Sequence, residues 1–513
     1  MNNDDNEIEE LRGVRVRYST IVNYVSHIYR LGVAVLFAII TTRKLSVEEY
    51  GLFTTLIALA TLFTSIYDIW NFWIIRYNAR KRYELVSSCF FINTVYAPIA
   101  FTLILVLSIY YVSMLKTQYI YFIISGILVL INLLFTYFRS ISLSTKPFIE
   151  GKVSIIEHSV RIIMAYILVV VFSLKLLGAL LTVILTITSS LPIYYLFLKK
   201  YRVELPKPGF NSKNVLLLIK NSYISLVSTL HDFLRQLDRP LLTALTNSTL
   251  ASAYIGVSYV PRSVILQSSS AFTASLSARL LRKPIREDID YILRISLIIN
   301  TGLLLLLIML SKPLLSLFRE EYIEANVLFI IFSLESFIYV FLTIFVSIAS
   351  SIEREDLDKF GLELVDTALF KLRFYMFTTG LTVVLISSIT VFMLQNIGFK
   401  DPVILGLPFS ISWLVSTFFL TIYGYKTALK KIEFNIPWIE VLYVVVSCII
   451  TFTITSFFNL TNIVIRNVWI DVPKVFFSAI IVLATYFSFE FILSKWFRNF
   501  VKTIVNYLMS RVL

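Results

Sequence analysis

The stretch Arg43-Lys44-Leu45-Ser46-Val47-Glu48-Glu49-Tyr50-Gly51-Leu52-Phe53 joins two long apolar runs. The run before it, 19–42, is apolar except for His27 and Arg30, and the run after it, 51–75, is apolar except for Asp68. Each is long enough to cross a bilayer, which takes roughly 20 residues of helix. Ser46 and Glu49 have the spacing of a capping box, so the second helix is expected to begin there. A charge near the centre of a bilayer helix costs about 2.5–3.5 kcal/mol on insertion scales, so such a residue faces protein or a wet cavity. Counted at 1.5 Å per residue, Arg30 lies roughly 18 Å from the face at Tyr18, and Asp68 roughly 12 Å from the same face. The two are therefore expected to meet inside a bundle.

The same pattern continues outward from this hairpin. Of 513 residues, 58% are hydrophobic and 15% charged, a balance that excludes a soluble domain. The first run is too long for a signal-peptide core and lacks a small-residue cleavage site, so it reads as a retained helix. About fourteen spans follow from the length criterion. They fall at 19–42, 51–75, 85–114, 119–138, 153–174, 176–198, 215–237, 250–276, 289–311, 326–350, 372–394, 403–425, 436–458 and 475–494. The seventh is the least apolar, since it holds Asp232 and Arg235. The fold class is thus an all-α polytopic membrane protein.

Charge sets the orientation. The net charge is +14, and the basic residues collect in alternate loops: Arg76 to Arg82, Lys199 to Lys213, Arg279 to Arg286 and Lys426 to Lys431. With the termini, that side carries about 30 Lys or Arg against about 11 opposite, which places both termini in the cytoplasm. Anionic lipid head groups are partner enough for these loops, and nucleic acid is not expected. No loop exceeds roughly 25 residues, too few for a soluble catalytic domain, so no enzyme is expected. Two cysteines, Cys89 and Cys448, and three scattered histidines give no metal or disulfide pattern, and no cofactor is expected.

A second copy of the plan appears halfway. The seventh span ends in Asp232-Phe233-Leu234-Arg235-Gln236-Leu237-Asp238-Arg239-Pro240, and a turn, Asn247 to Tyr254, stands where Leu45 to Phe53 stands in the first half. The expected organisation is a cytoplasmic tail (1–18), a six-helix lobe (19–200), a second six-helix lobe of the same orientation (214–425), helices 13 and 14 (436–494) and a basic cytoplasmic tail (495–513).

Three segments carry a family resemblance. Arg43 to Phe53 resembles the first outer turn of the polysaccharide and lipid-linked oligosaccharide flippases of the multidrug/oligosaccharidyl-lipid/polysaccharide exporter superfamily. Leu237-Asp238-Arg239-Pro240-Leu241-Leu242 with Ala253-Tyr254 resembles their seventh-to-eighth helix junction. Lys312 to Ala325 resembles their ninth-to-tenth junction. Ser252 departs from the pattern, standing where the family often has glycine. The resemblance implies two lobes around a cavity open to one side at a time. It also implies a flippase that moves a dolichyl or undecaprenyl phosphate- or diphosphate-linked oligosaccharide to the outer leaflet of the plasma membrane. The product would serve cell-surface polysaccharide or glycoprotein synthesis, with a glycosyltransferase or polymerase as partner.

The residues themselves say what such a path would use. Arg30, Arg161, Arg235 and Arg262 are the arginines expected at inner or middle depth, and a guanidinium pairs with phosphate through two hydrogen bonds. Asp68, Asp232, Glu335 and His27 are the candidates for charge pairing or ion coupling. Asn221, Ser222, Tyr223, Ser225, Ser228 and Thr229 suit hydroxyl-rich cargo, or equally interhelical hydrogen bonding. Two other readings stay open: a drug or organic-cation antiporter, which favours acidic groups in the cavity, and a membrane glycosyltransferase or polymerase, which needs acidic residues in a larger outer loop.

Overall fold

The computed structural model describes residues 16–260, 262–266, 276, 280, 285–352, 365, 367–458, 461, 463–466 and 468–512. Among these the chain is helical, without a strand. Eleven helices are long and apolar enough to cross a membrane, and they match eleven of the fourteen expected spans. The three others, at 19–42, 215–237 and 250–276, each include residues or side chains outside the described ones. The chain is an all-α polytopic membrane protein.

Its contacts divide it into two compact units. The first holds Met1–Gly256, Lys359–Asp366 and Arg373–Phe409, and the second holds Val257–Asp358, Thr367–Leu372 and Ser410–Leu513.

In the first unit, α1 (Val16–Lys44) and α2 (Val47–Ser65) are joined by the expected capping box. Ser46 Oγ accepts from Glu49 N at 3.1 Å, and Glu49 Oε2 accepts from Ser46 N at 2.9 Å. The second span is broken, however: α2 stops at Ser65 and α3 runs over Tyr67–Ala79. The hydroxyls of Thr61, Thr64 and Ser65 each bond a carbonyl three or four residues back, a habit that bends helices. The break sets Asp68 in the first turn of α3, where the positive end of the helix dipole favours a carboxylate.

The two turns alike in sequence pack on each other. A Cβ at Gly51 would overlap the carbonyl of Thr249, and one at Gly256 would press on Thr54, so both positions need glycine for close approach. Thr249 Oγ1 donates to Glu48 O at 3.0 Å. Thr55, Thr243 and Ser252 share a hydroxyl ladder at 3.0 and 2.6 Å that ends on Arg239 O at 2.9 Å. Ser252, the departure from the family pattern, is thus a bonded rung of this contact.

The remaining helices of this unit are α4 (Tyr83–Leu115), α5 (Tyr119–Thr145), α6 (Phe148–Ala165), α7 (Lys175–Lys200), α8 (Ser212–Asn221), α9 (Tyr223–Gln236), α10 (Asp238–Thr246) and α11 (Leu250–Ser258). The expected seventh span is therefore two pieces, α8 and α9, followed by α10 with Pro240 in its first turn, where its missing N–H costs no helix bond. An aromatic core binds α3, α4, α5 and α7: Trp73 stacks on Tyr77, and Phe90 on Tyr137 at 4.0 Å.

The second unit contains α12 (Arg286–Met309), α13 (Ser311–Phe318), α14 (Asn326–Ile352), α17 (Trp438–Phe457), α18 (Val468–Leu493) and α19 (Lys495–Val512). Two helices, α15 (Ala368–Asn396) and α16 (Pro402–Leu429), supply residues to both units. The tail read at 495–513 is thus helix α19, and residues 1–15 of the tail read at 1–18 lie outside the described residues. Tyr486 OH donates to Ile298 O at 3.0 Å and closes the core of α12 and α18.

Candidate functional site

A cavity of ≈ 280 Å³ opens in the first unit among α3, α5, α9 and α15. Its charged lining is Asp68, Arg139, Asp232 and Arg373. Ser225, Ser228 and Thr229 of α9 line it with Asn71, Thr136 and Ser140. The hydroxyl-rich run in the seventh span therefore does face a cavity, at three of its positions. The side chain of Asn221, from the same run, is outside the described ones.

Asp68 accepts from Asn71 Nδ2 at 3.4 Å. The charges close enough to act on it are Arg139 and Asp232. The expected meeting of Asp68 with Arg30 is not formed. A straight helix over 51–75 would bring them together, but the break at Ile66 leaves Asp68 on the cavity beside Arg139 and Asp232.

Arg30 and Arg161 belong to a second charge group beside the cavity. Arg139 Nε bonds Glu150 Oε1 at 2.9 Å, and Tyr194 OH donates to the other oxygen of Glu150. Arg161 lies 3.6 Å from Glu157 Oε1, one turn away on α6, and over the ring of Phe37. Arg30 of α1 stands within range of Arg139, Glu150, Glu157 and Arg161. Tyr29 and Ser159 share a hydrogen bond at 2.8 Å that fastens α1 to α6. His158, three residues before Arg161, is buried and bonds the Ser154 carbonyl at 2.8 Å. His27 stands on α1, and its side chain lies outside the described ones.

On α9 the charged pair divides. Asp232 faces the cavity, while Arg235, three residues on, is buried and absent from the lining. His231 is buried against the Met376 carbonyl at 2.9 Å.

Arg262 and Glu335 lie in the second unit and meet. Arg262 Nη1 is 3.5 Å from Glu335 Oε2, and Thr417 Oγ1 donates to Glu335 Oε1 at 2.9 Å. The guanidinium sits over the rings of Tyr259 and Tyr339 at 5.6 and 5.2 Å. Glu335 is wholly buried. Two residues expected to act separately thus form one ion pair. Glu440 is also buried, and it holds Arg294 at 3.0 Å.

Four cavity-side charges were not foreseen: Arg139, Glu150, Glu157 and Arg373. Arg139 follows the apolar window at 119–138, but α5 continues to Thr145, so the arginine is inside the helix. Glu157 and Arg161 carry their signal in the sequence, since charges four apart share a helix face. Arg373 stands at the start of the span read at 372–394, where an arginine reads as interfacial.

No family model and no curated protein matches the chain. Solved structures do. One is a lipid II flippase, MurJ, in an inward closed conformation: TM-score 0.58, 17% identity, covering 94% of this chain and 99% of that one. Another is a multidrug resistance MATE family transporter of the MOP superfamily, inward-facing: TM-score 0.55, 12% identity, covering 81% of this chain and 99% of that one. The fold is the one these two transport proteins share, as the resemblance implied.

Proposed function

We propose that this chain is a flippase that carries a polyprenyl phosphate- or diphosphate-linked oligosaccharide from the cytoplasmic to the outer leaflet by alternating access. The observation that carries the reading is the cavity of the first unit, where two guanidinium groups stand among hydroxyls inside membrane-spanning helices. A lipid phosphate must lose water to cross hydrocarbon, and Arg139 and Arg373 can replace that water with charge-assisted hydrogen bonds. Ser225, Ser228, Thr229 and Thr136 can exchange hydrogen bonds with sugar hydroxyls. The prenyl chain needs no protein path, because lipid solvates it. The likeness to a lipid II flippase supports the reading, since that protein handles a lipid-linked cargo by name.

Asp68 and Asp232 have a role in the same cycle. They offset the positive charge of the cavity's guanidinium groups while no cargo is bound. Arg30 and Arg161 lie one layer away, where they extend the positive field toward the cargo's phosphate. The lobes 19–200 and 214–425 are the moving parts of this proposal, and helices 436–494 are an addition to them. Both termini sit in the cytoplasm on the strength of the loop charges. The glycosyltransferase or polymerase that supplies or extends the glycan is the expected partner in the plasma membrane.

The two carboxylates also favour a second reading, export of an organic cation in exchange for protons, and the likeness to a MATE transporter supports it. Proteoliposomes separate the two. Flipping of a fluorescent polyprenyl-diphosphate glycan, reduced by Arg373→Gln, supports the flippase. Uptake of organic cations against a proton gradient, with no glycan flipping and with dependence on Asp68 and Asp232, replaces it with the antiporter.

A further inference from the structure

Helices α12, α17 and α19 of the second unit have no part in the cargo path proposed above, and a groove of ≈ 600 Å³ opens where they meet. Side chains fix the meeting. Arg294 of α12 bonds Glu440 of α17 and Met309 meets Thr455, so α17 runs parallel to α12 and both begin at one end of the unit. Tyr291 meets Trp496 and Phe500, which sets the start of α19 at that end too.

The two faces of α19 do different things. Phe497 is buried in a core with Ile298, Val444 and Tyr486. Lys495, Asn499 and Lys502 follow one another at four and three residues, so they share the opposite, polar face, and all three are exposed. Lys495 and Asn499 line the groove. Among the described residues, neither of these two side chains has an ion-pair or hydrogen-bond partner. The carboxylate that lines the groove, Glu440, is buried and already holds Arg294 at 3.0 Å. That pair cancels, so Lys495 leaves the lining with a net positive charge. The other wall is apolar and outward-facing: Trp438 is 69% exposed and Ile439 67%. Leu442, Val445, Ile449 and Phe452 continue this exposed strip along α17 in steps of three and four residues. A tryptophan at the end of a span sits at the level of the lipid head groups.

We propose that this groove binds the head group of an anionic phospholipid. The phosphodiester takes a charge-assisted hydrogen bond from Lys495 and a neutral one from Asn499, and an acyl chain lies along the strip from Ile439 to Phe452. Basic pockets between membrane helices recognise anionic head groups in this way, and the apolar strip that continues the groove selects a lipid over a free phosphate. The loop charges put the site in the cytoplasmic leaflet. It is a defined site, distinct from diffuse attraction to the basic loops, and it stands or falls independently of the cargo. The test titrates the purified full chain in detergent micelles with phosphatidylglycerol or phosphatidylcholine and counts retained lipid by native mass spectrometry. Each variant is first matched to wild type by its melting curve. Wild type is expected to hold phosphatidylglycerol about tenfold tighter than phosphatidylcholine. K495Q is expected to erase that preference, while K495R, which keeps the charge, and K474Q, which alters an exposed lysine of α18 outside the groove, are expected to retain it. Equal retention of the two lipids by wild type overturns the site, and so does a preference unchanged by K495Q. Displacement of phosphatidylglycerol by inorganic phosphate makes the occupant a free anion and also overturns it.

Discussion

Two arginine sites show opposite ways to keep a guanidinium in a membrane. In the second unit, Arg262 is consumed: Glu335 takes its charge, Thr417 fills the second carboxylate oxygen, and two tyrosine rings cover its faces. In the first unit, Arg139 and Arg373 border open space shared with Asp68 and Asp232. Both arrangements answer the same cost of charge in hydrocarbon. Only in the second do guanidinium groups line a cavity, Arg139 while also bonded to Glu150. Position within a span therefore does not assign a role to an arginine; what surrounds it does.

Breaking the buried pair is the largest test of this contrast. Glu335→Ala strands Arg262 without its counter-charge and is expected to cost about 3–5 kcal/mol, read as a lower melting temperature in micelles. The double variant R262M/E335L removes both charges and fills their volume, and it is expected to melt near wild type. Equal damage from both would show that the pair does more than balance charge. At the cavity, Arg373→Gln is expected to slow glycan flipping about 10–100-fold, the worth of a charge-assisted hydrogen bond, with little change in melting.

Smaller effects sharpen the scaffold beneath the site. Gly51→Ala places a methyl group into the Thr249 carbonyl and is expected to destabilise by about 1–3 kcal/mol. Ser46→Ala removes one half of the capping box and is expected to cost ~1 kcal/mol in the same melting assay.

The helices most legible in the sequence are the long apolar ones, and two of them, α5 and α15, carry the cavity's arginines. Eleven spans could be read from length and hydropathy because lipid imposes that pattern on its own. The capping box at Ser46 was legible too, being a local pattern of four residues. The cavity was harder. Its wall includes α9, a fragment of a span that a break at Ser222 divides, and α3, whose start at Tyr67 depends on hydroxyl back-bonds rather than on any proline or glycine. The residues that met in space, Arg139 with Glu150 and Arg262 with Glu335, come from different helices, and no spacing rule reaches across helices. Arg161 with Glu157 was within reach, since its spacing lies along one helix.

The contrast between a buried, paired arginine and arginines that line a cavity is tested most directly by one assay. Flipping of a fluorescent polyprenyl-diphosphate glycan is measured in proteoliposomes holding wild type, R139Q/R373Q or R262M/E335L, each first shown to be folded by its melting curve. The account predicts that R139Q/R373Q loses flipping while R262M/E335L retains it. Flipping that survives R139Q/R373Q and disappears in R262M/E335L would contradict it, and would move the cargo's phosphate to Arg262.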